Sequence, residues 1–139
     1  MVEILVSPGF GAGWSSWSEG SVALFALGYR PLIDAIKRGE AIWTESDERN
    51  YSLSLRDDAA PFVPSHPAMR QFYADLKARF GEDDSYFYPG GARDLSVKTI
   101  DDDCLFRINE YDGNESVEVM SADNFIPASA IASAQKSAA

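Results

Sequence analysis

The sequence predicts a single α+β domain over residues 1–127, with a mostly antiparallel sheet and two or three helices. Three observations carry that prediction. A β-prone apolar start, VEILV at 2–6, is cut off by Ser7-Pro8-Gly9. Apolar residues at helical spacing run from Met69 to Phe80, behind Ser65 as a cap and ahead of Gly81 as a stop. From residue 86 to 120, short β-prone runs alternate with tight turns.

Each element follows in order. MVEILVSPGF lacks a basic leading region and its apolar run ends at Pro8, so it reads as a first strand and not as a signal peptide. The turn Pro8-Gly9-Phe10-Gly11-Ala12-Gly13 leads to Trp14-Ser15-Ser16-Trp17, whose hydroxyls suit the cap of a short helix holding Val22, Leu24, Phe25 and Leu27. A second helix has Pro31 in its first turn, Leu32, Ile33 and Ile36 as its apolar side, basic Lys37 and Arg38 at its end, and Gly39 beyond. Between residues 40 and 58, ESDERN reads as a loop and NYSLSLR as a strand with Tyr51, Leu53 and Leu55 on one face. AAPFVP breaks the chain before the helix capped by Ser65, and Glu82-Asp83-Asp84 forms an acidic turn after it. Then come Tyr86-Phe87-Tyr88, the turn Pro89-Gly90-Gly91, and strands in LSVKTI, CLFRINEY and ESVEVM, the last two joined by the hairpin turn Asp112-Gly113-Asn114. The tail over 128–139, ASAIASAQKSAA, is expected to be frayed or loosely helical.

Charge and composition exclude several functions. Twelve Lys and Arg against 22 Asp and Glu give a net charge of −10, which opposes binding to a nucleic-acid polymer, because affinity for a phosphate backbone comes from clustered cations. The same charge is compatible with a small anionic ligand held by a few local Arg and N–H groups, with a basic protein partner, or simply with solubility. No run is long and apolar enough for a membrane span, so no membrane partner is expected. The single cysteine, Cys104, has no internal disulfide partner and lies in the apolar stretch CLFRI, which reads as a buried thiol in a reducing, cytoplasmic compartment.

The residue types of familiar enzymes are missing. One His and one Cys give no metal-ligand spacing. His66, between Ser65 and Pro67, reads as a surface residue at a helix start, and Asp101-Asp102-Asp103 as a solvated turn. No lysine follows a glycine loop as in a Walker motif, and PGFGAG departs from GxGxxG. Neither catalysis, a metal nor a cofactor is therefore expected.

Two glycine turns and one strand hold the candidate binding groups. In the first turn, glycines let backbone N–H groups such as that of Gly11 converge on an anion, while Phe10 and Trp14 flank it as stacking surfaces. The plainer reading is a glycine needed only to turn, with core aromatics beside it. The second turn sets Tyr88 and Arg93 around Pro89-Gly90-Gly91. In LFRIN, Arg107 calls for an acid or a ligand, and an ion pair with Glu110 or Glu115 is the structural alternative to a binding role. Asn109 and Tyr111 share its face by alternation.

Together, SPGFGAGWSSW, GGARDLSV and FRINEYDGNESVEV resemble a family of small phage proteins over nearly the full length, with EYDG followed by an acid as the most specific piece. That family is similar to the phage anti-defence sponges that counter Thoeris immunity by sequestering a cyclic ADP-ribose isomer, and in some members cyclic oligonucleotides. The resemblance implies an α+β protomer, a homo-oligomer with pockets at protomer interfaces, and binding without cleavage in the host bacterial cytoplasm. It points to Phe10 and the glycine loop, to Arg93, and to Arg107, Asn109 and Tyr111. The alternative is an acidic inhibitor that occupies the nucleic-acid or effector site of a host defence protein.

Overall fold

In the computed structural model, residues 1–56, 62–82, 86–120 and 128–138 are described. The chain break read in AAPFVP and the acidic turn at 82–84 fall partly outside them. Strand β1 (Val2–Val6) pairs antiparallel with β2 (Ser96–Ile100), and β3 (Leu105–Tyr111) with β4 (Asn114–Met120). The helices are α1 (Gly20–Leu27), α2 (Arg30–Lys37), α3 (Glu45–Arg56), α4 (Pro67–Phe80) and α5 (Ala128–Ala138), with 3-10 turns at Ser15–Trp17 and Pro89–Asp94. The α+β class is as the sequence predicts, but the described residues hold five α-helices, and the sheet is two separate two-stranded ribbons.

β1 is buried on both faces, and its period of two divides the core. Leu5 points into the larger cluster with Trp14, Leu32, Ile33, Phe72 and Leu76, supplied mainly by α2 and α4. Ile4 and Val6 join Leu27 and Ile100 in a smaller cluster, against which Phe106, Ile108 and Val117 of the β3–β4 hairpin pack. The β1–β2 ribbon thus lies between the helices and the hairpin. Cys104 is half-buried against this smaller cluster, with its thiol free.

Residues 45–56 are helical and not the loop and strand that their alternation suggests. The decisive signal is Thr44-Glu45-Ser46-Asp47. The Thr44 hydroxyl accepts the Asp47 N–H at 3.1 Å, and the Asp47 carboxylate accepts the Thr44 N–H at 3.0 Å, a reciprocal capping box. Acidic Glu45, Asp47 and Glu48 fill the first turn and Arg56 ends the helix, both matched to its dipole. The apolar alternation never meets a core: Leu53 and Leu55 are 55% and 62% exposed, while Asp47 and Tyr51, four apart, face inward.

The start of α4 also differs by one residue. His66 is the cap, its Nδ1 accepting the Ala68 N–H at 3.0 Å, while Ser65 turns away and donates its hydroxyl to Asp47 at 2.7 Å. α5 is exposed over residues 128–135. No helix among the described residues is long and apolar enough to cross a membrane.

Candidate functional site

The three motifs singled out in the sequence meet in space. The Gly11 N–H donates to the Asp112 carbonyl at 2.7 Å, and the Glu115 N–H to the Ser7 carbonyl at 2.7 Å, so the first glycine turn is stitched to the hairpin tip. The second turn closes on the first. A Cβ placed on Gly91 would lie 2.3 Å from the Gly13 carbonyl oxygen, and one on Gly113 would lie 2.2 Å from the Ala12 nitrogen. Glycine is therefore required at both places for close approach of two backbones.

Backbone N–H groups do gather around an anion beside the first turn, but they belong to the residues that flank its glycines, and the anion is internal. One oxygen of the Glu115 carboxylate accepts the Ser7 N–H at 2.8 Å; the other accepts the N–H groups of Trp14 at 2.8 Å and Ser16 at 2.9 Å, together with the Ser16 hydroxyl. Glu115 is 2% exposed. A nest of this kind suits phosphate or carboxylate equally well, and here the chain fills it with its own side chain. The N–H of Gly11, assigned to a ligand on sequence grounds, is taken up by Asp112.

Trp14 is likewise corrected. It has no exposed surface, packs at 5.3 Å from Phe72 and 4.6 Å from Phe87, and donates its indole N–H to the Ala26 carbonyl at 2.9 Å. It is a core residue with its one polar group satisfied, so its ring faces are closed to a ligand. Phe10, by contrast, is 59% exposed, and Tyr111 is exposed at the end of β3.

Arg107 is not buried. Its Nε and Nη2 both reach the Glu118 carboxylate at 2.7 Å, and Asn109 donates to the same oxygen at 2.9 Å. Glu118 stands directly opposite Arg107 in the ladder, so the structural alternative of a cross-strand pair forms, but with Glu118 in place of Glu110 or Glu115. These donors hold the Glu118 carboxyl below its usual range, with the hydrogen bonds of Asn109 and then Arg107 as the main cause.

Arg93 lines a cleft of about 540 Å3 with Trp43, Glu45, Glu48 and Arg49. Two cations and two carboxylates share that cleft and largely cancel, and Glu48 is fixed by the Trp43 indole N–H at 2.7 Å. Tyr88 stacks on Trp17 at 5.5 Å and meets Tyr51 edge-on at 6.0 Å.

A second cleft, of about 490 Å3, was not foreseen from the sequence. Its walls include the rings of Tyr51, Phe62, Tyr73, Tyr86 and Phe87, and Arg70 supplies a cation with no carboxylate among the described lining residues. Arg70 is anchored by the carbonyls of Pro64 at 2.9 Å and Ser65 at 2.6 Å. Burial first, and then the neighbouring Tyr86 hydroxyl, push the Tyr51 phenol up, and burial pushes up that of Tyr73, so both remain neutral hydroxyls near pH 7. The sequence signal was present in Tyr51 and Tyr73 but divided between a supposed strand and a core helix. Comparison of the chain with protein-family models, curated proteins and solved structures finds no match.

Proposed function

We propose that this chain is an anti-defence binding protein that captures a cyclic nucleotide signal, a cyclic ADP-ribose isomer or a cyclic oligonucleotide, and releases it unchanged. The observation that carries the reading is the ring-walled cleft containing Arg70. Its volume, about 490 Å3, falls in the range of small-ligand pockets. Its rings offer stacking worth roughly 1 to 3 kcal/mol per base, and among the described residues its lining sets no carboxylate against the cation. That last point favours it over the Arg49 and Arg93 cleft, where two carboxylates would repel a phosphate. Net charge of −10 repels any anion at long range, so capture depends on contacts inside the cleft.

The reading is supported by the resemblance of the three motifs to the sponge family, which also implies a homo-oligomer acting in the host bacterial cytoplasm. Isothermal titration with cyclic ADP-ribose isomers and cyclic di- and trinucleotides tests it. Saturable heat, with intact nucleotide recovered after heat denaturation, is the expected result. The absence of heat with every one of them overturns it, and a new product peak on chromatography replaces capture with hydrolysis. Light scattering of the same samples reads the oligomer.

A further inference from the structure

A second surface, separate from the ring-walled cleft, surrounds the junction of the three motifs. The Glu115 carboxylate fixes the chain at Ser7, Trp14 and Ser16, and the Gly11 to Asp112 hydrogen bond fixes the hairpin tip against it. On this fixed frame Phe10 is 59% exposed, Trp17 44% and Tyr111 78%. Turns braced by a buried carboxylate hold the backbone under these side chains in place, and Trp17 is further held by Tyr88 and Glu110, so binding here orders little of the main chain.

The chemistry around Trp17 is specific. One side of its ring stacks on Tyr88, and its indole N–H donates at 3.2 Å to Glu110, whose carboxylate also accepts the Gly113 N–H at 2.5 Å. Neither Glu110 nor Asp112 forms an ion pair with a described residue, whereas the nearby cations Arg93 and Arg107 already face Asp94 and Glu118. The local balance is therefore an indole, exposed rings and uncompensated negative charge.

We propose that this surface docks a basic segment of a partner protein, with an Arg or Lys side chain seated against Trp17 and paired with Glu110. A cation gains on both counts, from the ring face and from the carboxylate. The charge of −10 steers such a partner in and turns nucleic acid away. It also argues against a second copy of this chain, because a two-fold contact would set the same carboxylates against one another. This surface does not depend on the nucleotide reading.

The test is a titration of the full chain with a synthetic peptide of alternating Arg and Gly, and with its Glu counterpart, followed by tryptophan fluorescence. Trp14 and Trp43 are buried, so Trp17 is the indole that reports contact. The expected result is saturable binding of the Arg peptide only. It weakens as salt rises, and by about fivefold or more in both Glu110→Gln and Phe10→Ser, whose melting temperatures stay near that of the parent. Binding that is absent up to about millimolar peptide, equal for the Glu peptide, or unchanged in both variants overturns the proposal.

Discussion

The carboxylate of Glu115, on the second strand of the hairpin, accepts the backbone N–H of Trp14, 101 residues earlier in the chain, at 2.8 Å. Three backbone N–H groups and one hydroxyl converge on this side chain, and no cation is paired with it among the described residues. Its oxygens meet the dipoles of Ser7 at the end of β1 and of Trp14 and Ser16 at the start of the 3-10 turn. Glu115 therefore acts as the fastener of the three motifs.

Replacing Glu115 with Ala is expected to strand those buried donors at a cost of about 3 to 5 kcal/mol. Thermal unfolding should report a drop of roughly 10 to 20 °C. Glu115→Gln recovers only part of this, because its amide nitrogen faces N–H groups. Glu118→Gln, which loses only an exposed ion pair, should change stability by less than about 1 kcal/mol. Equal effects at positions 115 and 118 would show that the junction does not need its carboxylate.

The glycines separate in the same way. At Gly91 and Gly113 a methyl group would strike backbone atoms of residues 12 to 14, and Gly113 also has φ of 84°. Backbone cannot step aside as a side-chain end does. Gly91→Ala and Gly113→Ala are expected to cost about 2 kcal/mol or more by urea denaturation. Gly28→Ala meets nothing within 4 Å and has φ of −114°, so it should be neutral or stabilise by up to about 1 kcal/mol.

Much of this arrangement is legible in the sequence, and the parts that are not have physical reasons. The glycine turn after β1, the α2 and α4 helices and the hairpin at Asp112-Gly113 all follow from local turn and periodicity rules. Helix α3 does not, because NYSLSLR alternates as a strand would, and the Thr44 to Asp47 box that overrides it lies just before the alternation. The glycine turn reads as a candidate anion nest, but the N–H groups that converge on an anion are those of Ser7, Trp14 and Ser16 on either side of its glycines, and nothing local says that a glutamate about a hundred residues away draws them together. The ring-walled cleft joins α3, α4 and the segment at 86–87, so no single stretch reveals it.

Asp47 gives a pH dependence with a definite sign. It is 2% exposed, and burial alone would push its carboxyl up. The hydrogen bonds from Ser65 and Thr44 outweigh that and hold it below the usual range. A carboxyl lowered on folding adds stability above its unfolded value, about 3.9, and loses that stability as pH falls through the folded value. Asp47→Asn should cost about 1 to 2 kcal/mol at neutral pH, and the gap between variant and parent should close as pH falls below about 4. A gap that stays constant from pH 7 to about 3 would mean that the carboxylate form contributes nothing.

Arg107 and Tyr86 divide the sequence reading from the structural one. The motif resemblance points to Arg107 as a nucleotide contact, but its guanidinium lies on the exposed face of the hairpin with Glu118, whereas Tyr86, 73% exposed, stands on the wall of the ring-walled cleft. Both side chains are accessible enough for truncation to leave the fold intact, at under about 1 kcal/mol each. Binding should separate them. Tyr86→Ala removes a stacking face and is expected to weaken nucleotide affinity about tenfold, and Arg107→Ala to leave it unchanged, in titrations at fixed salt with melting curves run alongside. Weakening by Arg107→Ala with Tyr86→Ala silent would move the nucleotide from the cleft to the hairpin face, and the cation that holds its phosphate from Arg70 to Arg107.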